Sequence, residues 1–219
     1  MAPVTELCRL YPTADTEGVL SEYTKIVLRQ PGVQGVYTSA VLEKDKSLIY
    51  LIVDWDSIAA HEAFTKTDIF EPAVKKLTDT LSKPYELYHV AFSPVHPTVL
   101  HNAGGKSAVA ELGHAYFPAG EAFTADQMAS VAKNAQGFLS EVSGNAAGHT
   151  GEIAAGWAVE EVDFKGEKSR AFVFVIGWES VEDHLRYRET DHFKNNIPRL
   201  RGLDSLKGME VVHISTKSG

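Results

Sequence analysis

The spacing of apolar and polar positions divides the chain into two runs of similar elements. Val4 to Tyr11 reads as a short strand ended by Pro12. Within Thr16 to Gln30, Val19, Leu20, Tyr23, Ile26 and Val27 fall at helical spacing, and Pro31-Gly32 stops the helix. Gly35 to Leu42 alternates, Lys44-Asp45-Lys46 is a polar turn, and Ser47 to Trp55 is nearly continuous in apolar residues, which places it centrally in a sheet. A helix then starts from an N-cap at Ser57, breaks near Thr67-Asp68, resumes over Phe70 to Leu81 and runs to Pro84, and Tyr85 to Phe92 closes the unit. The order β-α-β-β-α-β is that of a ferredoxin-like split βαβ.

Residues 93–106 hold two prolines, two histidines and Gly104-Gly105 with little periodicity, and read as a linker between lobe 1–92 and lobe 107–219. The second lobe repeats the order: strand Ser107 to Phe117, helix Thr124 to Val142, strand Glu152 to Val162, turn Lys165 to Lys168, strand Arg170 to Trp178, a helical stretch, and closing strand Gly208 to Thr216. Ser143 to Thr150 is longer than the Pro31-Gly32 turn it replaces, which predicts an extra flexible loop.

The repetition is literal in one stretch. Trp55 to Phe70, WDSIAAHEAFTKTDIF, returns without a gap as Trp178 to Phe193, WESVEDHLRYRETDHF, so that Trp, Ser, His, Thr, Asp and Phe coincide. The chain therefore holds two copies of one structural unit. A four-stranded sheet with both helices on one face leaves its other face bare. The strands LIYLIVDW and AFVFVIGW are apolar on both faces, so the expected fold is α+β, with two tandem lobes packing their antiparallel sheets into one intramolecular pseudo-twofold barrel.

Composition narrows the partners. The chain has 219 residues, 21 basic against 29 acidic, a formal charge of −8 and no basic run, which argues against nucleic acid. Its one cysteine, Cys8, makes no internal disulfide and reads as an inert buried thiol. No secretory signal opens the sequence, and no apolar stretch approaches the roughly 20 residues of a membrane span. A soluble, cytoplasmic protein is the expectation, with a homodimer left open.

The pattern of an apolar strand ending in Trp, then Ser, helical residues, His, an aromatic and a Thr-Asp-x-Phe break resembles the antibiotic biosynthesis monooxygenase branch of the dimeric α+β barrel superfamily, here as a fused pair of the kind some fungal members form. The resemblance implies several chemistries. They include cofactor-independent oxygenases on polyketide quinols, cyclases, lactone isomerases, haem-degrading enzymes and proteins with no known reaction. Its ligands bind between helix and sheet.

On a helix, Ile58, His61 and Phe64 fall within an arc of roughly 120°, as do Val181, His184 and Tyr187, so both histidines face the sheet. Each is either an acid/base in a pocket or a structural group that donates to a backbone carbonyl. His192 stands where Ile69 stands in the first copy, and is either a third catalytic candidate or a solvated surface histidine. His89 and His213 in the closing strands, His114 in a first strand, Tyr187, and Trp157 with its rough counterpart Tyr37 are the candidate substrate contacts. None of these has recognised metal-ligand spacing, so no metal is expected. Three readings follow: a cofactor-independent enzyme of secondary metabolism on an aromatic or polyketide-like molecule, a small-molecule-binding or stress-response protein without turnover, and a haem protein ligated by one helical histidine.

Overall fold

The computed structural model describes residues 2–43, 47–101 and 105–219. The turn expected at Lys44-Asp45-Lys46 and Gly104 of the linker lie outside the described residues. The N-terminal half contains β1 (Val4–Leu10), α1 (Thr16–Val27), β2 (Val33–Val41), β3 (Ile49–Trp55), α2 (Ile58–Thr65), α3 (Phe70–Thr78) and β4 (Glu86–Ser93). The C-terminal half contains β5 (Val109–Pro118), α4 (Ala125–Asn145), β6 (His149–Ala158), β7 (Val162–Phe164), β8 (Glu167–Trp178), α5 (Val181–Arg188), α6 (Asp191–Asn196), α7 (Pro198–Arg201) and β9 (Gly208–Ser218).

Local chemistry sets the helix boundaries. Ser57 and Ser180 cap α2 and α5, each side chain accepting from a backbone N–H three residues on. Thr124 and Gln127 form a capping box at the start of α4. Pro198, with no N–H to give, begins α7 as a separate turn where the N-terminal half has the continuous α3.

The strands run β2-β3-β1-β4 and then β6-β8-β5-β9, and β9 pairs back onto β2. Every pairing is antiparallel, so the result is a closed eight-stranded antiparallel barrel, with β7 attached only to β8. The two halves meet along two seams, Val90↔Ala158 to Ser93↔Ala155 and Tyr37↔Ser218 to Val41↔Ile214. Closure leaves no free barrel edge.

Apolar strands with two buried faces then make sense. Inward residues such as Leu7, Ile52, Val90, Leu112, Val173 and Ile214 fill the barrel, while outward residues pack under helices as two separate clusters, one per half. The 93–106 segment is more than a linker, because Val99 and Leu100 are buried in the barrel core as a plug. At another place in the barrel Arg9 donates to the hydroxyls of Tyr50 and Tyr116 and pairs with Glu86 and Glu210.

Two expectations are corrected. The loop anticipated at Ser143 to Thr150 is absorbed: α4 continues to Asn145 and β6 starts at His149, so the added residues lengthen a helix. The strand expected over Glu152 to Val162 is two strands, β6 with a register shift between His149 and Ile153, then β7. Periodicity alone does not register such an irregularity.

Candidate active site

Each half places the same group of side chains between its helices and the outer face of the barrel. In the C-terminal half, β5 supplies Glu111, β8 ends in Trp178, α5 carries His184 and β9 carries His213. The Trp178 indole donates to Glu111 Oε2 at 3.0 Å, and His184 Nε2 stands 3.4 Å from the same oxygen. His184 Nδ1 lies 2.7 Å from His213 Nε2, and His213 Nδ1 lies 2.8 Å from Glu43 Oε1. Glu43 follows β2, in the other half of the chain.

The N-terminal half repeats this with Glu6, Trp55, His61 and His89. Trp55 donates to Glu6 Oε2 at 2.9 Å, His61 Nε2 is 3.6 Å from that oxygen, and His61 Nδ1 is 2.9 Å from His89 Nε2. His89 Nδ1 then meets Glu160 Oε1 at 2.6 Å, and Glu160 follows β6 of the opposite half. The carboxylates are thus exchanged between halves.

Burial dominates the electrostatics. It pushes the carboxyls of Glu6 and Glu111 up to about 7, against the hydrogen bonds from Trp55 and Trp178 that favour the ionised form. Burial, followed by the electrostatic effect of the neighbouring His89 or His213 ring, holds His61 down to about 4 and His184 to about 3, so both rings are neutral. Burial also acts to raise Glu160, but the ring and backbone of His89 outweigh it and keep that carboxyl below its usual range.

In the C-terminal half this group opens onto a cavity of about 240 Å³. Phe138, Phe174, Ile176, Tyr187, Phe193 and Leu200 give it apolar walls, Glu111 and His184 sit in its lining, and Arg188 and Arg201 stand exposed at its edge. The volume is a little below the roughly 300 Å³ at which ordinary ligand sites begin.

Among the sequence candidates, His184 and Tyr187 line this cavity, and His213 stands directly behind His184. His61 and His89 form the matching pair in the other half. The expected alternative for the helical histidines, donation to a backbone carbonyl, is not what their rings do: each meets a second histidine. His192 lies beside the cavity lining, 2.9 Å from the Tyr187 hydroxyl and 3.3 Å from Glu141. Three candidates are elsewhere. His114 points into the barrel against the Tyr88 hydroxyl at 2.5 Å, Tyr37 stacks on His101 at 4.3 Å, and Trp157 packs among Phe117, Phe123 and Phe172. Alternation places His114 and Tyr37 on inward faces, and a large ring beside small residues fills core space as readily as it lines a pocket.

Sequence reasoning missed the carboxyls. Val4-Thr5-Glu6-Leu7 and Val109-Ala110-Glu111-Leu112 repeat a lone acidic residue at the same place in the two first strands, and that signal was readable. Glu43 and Glu160 carry no such mark, since each is an ordinary loop glutamate until the barrel closes. Among the described residues, Glu6, His61 and His89 also offer three ligand atoms within 4.8 Å of one another, an arrangement able to hold a metal ion. Those atoms already serve one another and Trp55 as hydrogen-bond partners.

A closed α+β barrel with a buried acid–base pair at an apolar cavity is the class of protein that this geometry defines. No family model matches the chain, and no curated protein matches its sequence. Solved structures match its fold over its whole length. A candidate monooxygenase from Fusobacterium nucleatum subsp. nucleatum ATCC 25586 superposes with a TM-score of 0.61 at 12% identity, covering 99% of this chain and 94% of that one. A candidate monooxygenase from Lactobacillus acidophilus NCFM gives 0.57 at 11%, with 99% and 94% covered. An anthrone oxidase-like protein gives 0.66 at 14%, with 100% and 94% covered. At these identities the likeness is one of fold. Among the described residues no helix is long and apolar enough to cross a membrane.

Proposed function

We propose that this chain is a cofactor-independent enzyme of the antibiotic biosynthesis monooxygenase type, built as two fused ferredoxin-like copies and acting on a hydrophobic, aromatic or polyketide-like molecule in the C-terminal cavity. The observation that carries the reading is an apolar cavity whose lining holds a carboxyl poised near neutrality beside a neutral imidazole. A base of that kind is matched to work near pH 7. The Trp178 indole and His184 Nε2 both meet Glu111 at Oε2, and Oε1 is the oxygen that takes the ligand proton. The enolate or phenolate left behind is electron-rich, and in an oxygenase it supplies the electrons that reduce oxygen. Its apolar surroundings keep water from the intermediate.

Oxygen uptake with anthrone as the test substrate checks the reading. Conversion of anthrone and one O₂ to anthraquinone and one water balances without an added reductant. The expected result is uptake by the wild-type protein and loss of uptake in Glu111→Gln and His184→Ala. Binding of anthrone without oxygen uptake, cyclisation or isomerisation would leave a small-molecule-binding protein instead.

A further inference from the structure

We propose that Glu43, donated by the N-terminal half, is the proton terminus of the C-terminal cavity, reached from Glu111 through His184 and His213. This rests on the reading of that cavity as an acid–base site. Hydrogen-bond bookkeeping fixes the direction of the chain. Glu43 Oε1 accepts the backbone N–H of His213 and therefore acts as an acceptor toward the His213 ring as well. His213 Nδ1 must be its donor, and a singly protonated ring then keeps a lone pair on Nε2. His184 Nδ1, at 2.7 Å, must then donate to it, and His184 Nε2 faces Glu111 with its lone pair. One carboxylate thus sets both tautomers.

A ligand proton taken at Glu111 Oε1 displaces one from Oε2 to His184 Nε2, the Nδ1 proton of His184 passes to His213 Nε2, and the Nδ1 proton of His213 passes to Glu43. One proton enters at Glu111 and one arrives on Glu43; the ligand gains the negative charge that Glu43 loses, and neither ring becomes an imidazolium. Run backwards, the same path returns a proton to an oxygen anion formed later in turnover. Glu43 is suited to the end position, because its side chain is about a third exposed, at 34%, while Glu111 is at 9%. Its other oxygen, Oε2, is buried without a hydrogen-bond partner among the described residues.

The same wiring recurs in reverse, with Glu160 of the C-terminal half on His89 and His61, its backbone bond included at 2.7 Å. An arrangement exchanged across both seams is a property of the closed barrel, and the relay behind this cavity is incomplete without Glu43 of the N-terminal half.

Glu43→Gln tests the assignment, since the amide oxygen keeps both hydrogen bonds to His213 but takes up no proton. 2-Naphthol serves as the probe, because its phenol and phenolate absorb differently. The wild-type protein should bind it and shift it toward phenolate; Glu43→Gln should bind it equally and lose the phenolate band, and Glu43→Asp should restore part of it. Equal phenolate in wild type and Glu43→Gln, or binding with none in the wild type, overturns the terminus while leaving the cavity a binding site. Failure of naphthol to bind counts against the cavity reading. The relay is then judged by ¹⁵N spectra of the ligand-free protein, in which His184 and His213 should both be Nδ1–H tautomers. An Nε2–H form of either ring overturns it.

Discussion

The two halves bury the same carboxyl, indole and pair of imidazoles, yet the described cavity at that group belongs to the C-terminal half. The differences lie in a few side chains around it. Where β1 has Cys8 opposite Leu51 of β3, β5 has Gly113 opposite Phe174 of β8. A side chain on Gly113 would run into the Phe174 ring, its Cβ 2.0 Å from the ring edge, so the large residue lies flat where the small one makes room. Tyr23 and Tyr85 stand near enough to Glu6 to feel its charge, which adds to burial in raising both phenols. At the edge, Arg188 and Arg201 occupy the positions of Thr65 and Thr78 in the other copy. The two halves share one arrangement of carboxyl, indole and imidazoles, and the packing around it differs where the C-terminal half has its cavity.

Several changes would break or sharpen this comparison. The largest effect is expected from Glu111→Gln and Glu6→Gln. A carboxyl held at about 7 when folded, against 4.5 as the ordinary value, stabilises the fold fully below pH 4.5, and that contribution is lost as pH rises through 7. Removing it should therefore move stability in the variant's favour by about 3 kcal/mol between those limits. Denaturant melts across that range measure this, and a gain from Glu6 alone would mean that water in the cavity already solvates Glu111.

Exchanging the small residue comes next. Gly113→Cys should cost about 1–3 kcal/mol through displacement of Phe174 and abolish naphthol binding. Cys8→Gly should cost about 1–2 kcal/mol and leave binding intact. Calorimetric melts with a binding titration separate the two effects, and retained binding in Gly113→Cys would remove Phe174 from the account.

His184→Ala and His61→Ala should each cost about 1–3 kcal/mol, because each strips a partner from a buried histidine. Only the first should reduce oxygen uptake. Equal loss of activity in both would make the halves functionally alike. The smallest effect is expected from Arg188→Thr and Arg201→Thr, which install the residues of the other copy. Stability should change by no more than about 0.5 kcal/mol, and binding of naphthol should weaken less at high than at low salt.

Much of the fold was legible because it rests on short-range physics. Helical spacing in Thr16 to Gln30, the Ser57 and Ser180 caps, and the doubly apolar strands ending at Trp55 and Trp178 are local patterns, and the literal repeat tied the halves together. The boundaries slipped where neighbours intervene, as in α4, whose extra turn sits in residues that read as a loop. The site was legible in part. His61 and His184 faced the sheet as their helical positions required, but alternation groups His114 with Leu112 and Tyr116 without saying that their shared face is the barrel interior, which closure decides.

By itself, then, the sequence determined the elements, the duplication, the two-faced burial that demanded a closed barrel, and which helical face the histidines take. Tertiary structure alone decided that Glu43 and Glu160 serve the opposite halves, that His184 meets His213, and that Gly113 and Phe174 make room for a cavity. The physical reason is range. Periodicity and capping are written within a few residues of one another, whereas the bond from Glu43 to His213 joins positions 170 residues apart and exists only once the last strand has closed the barrel.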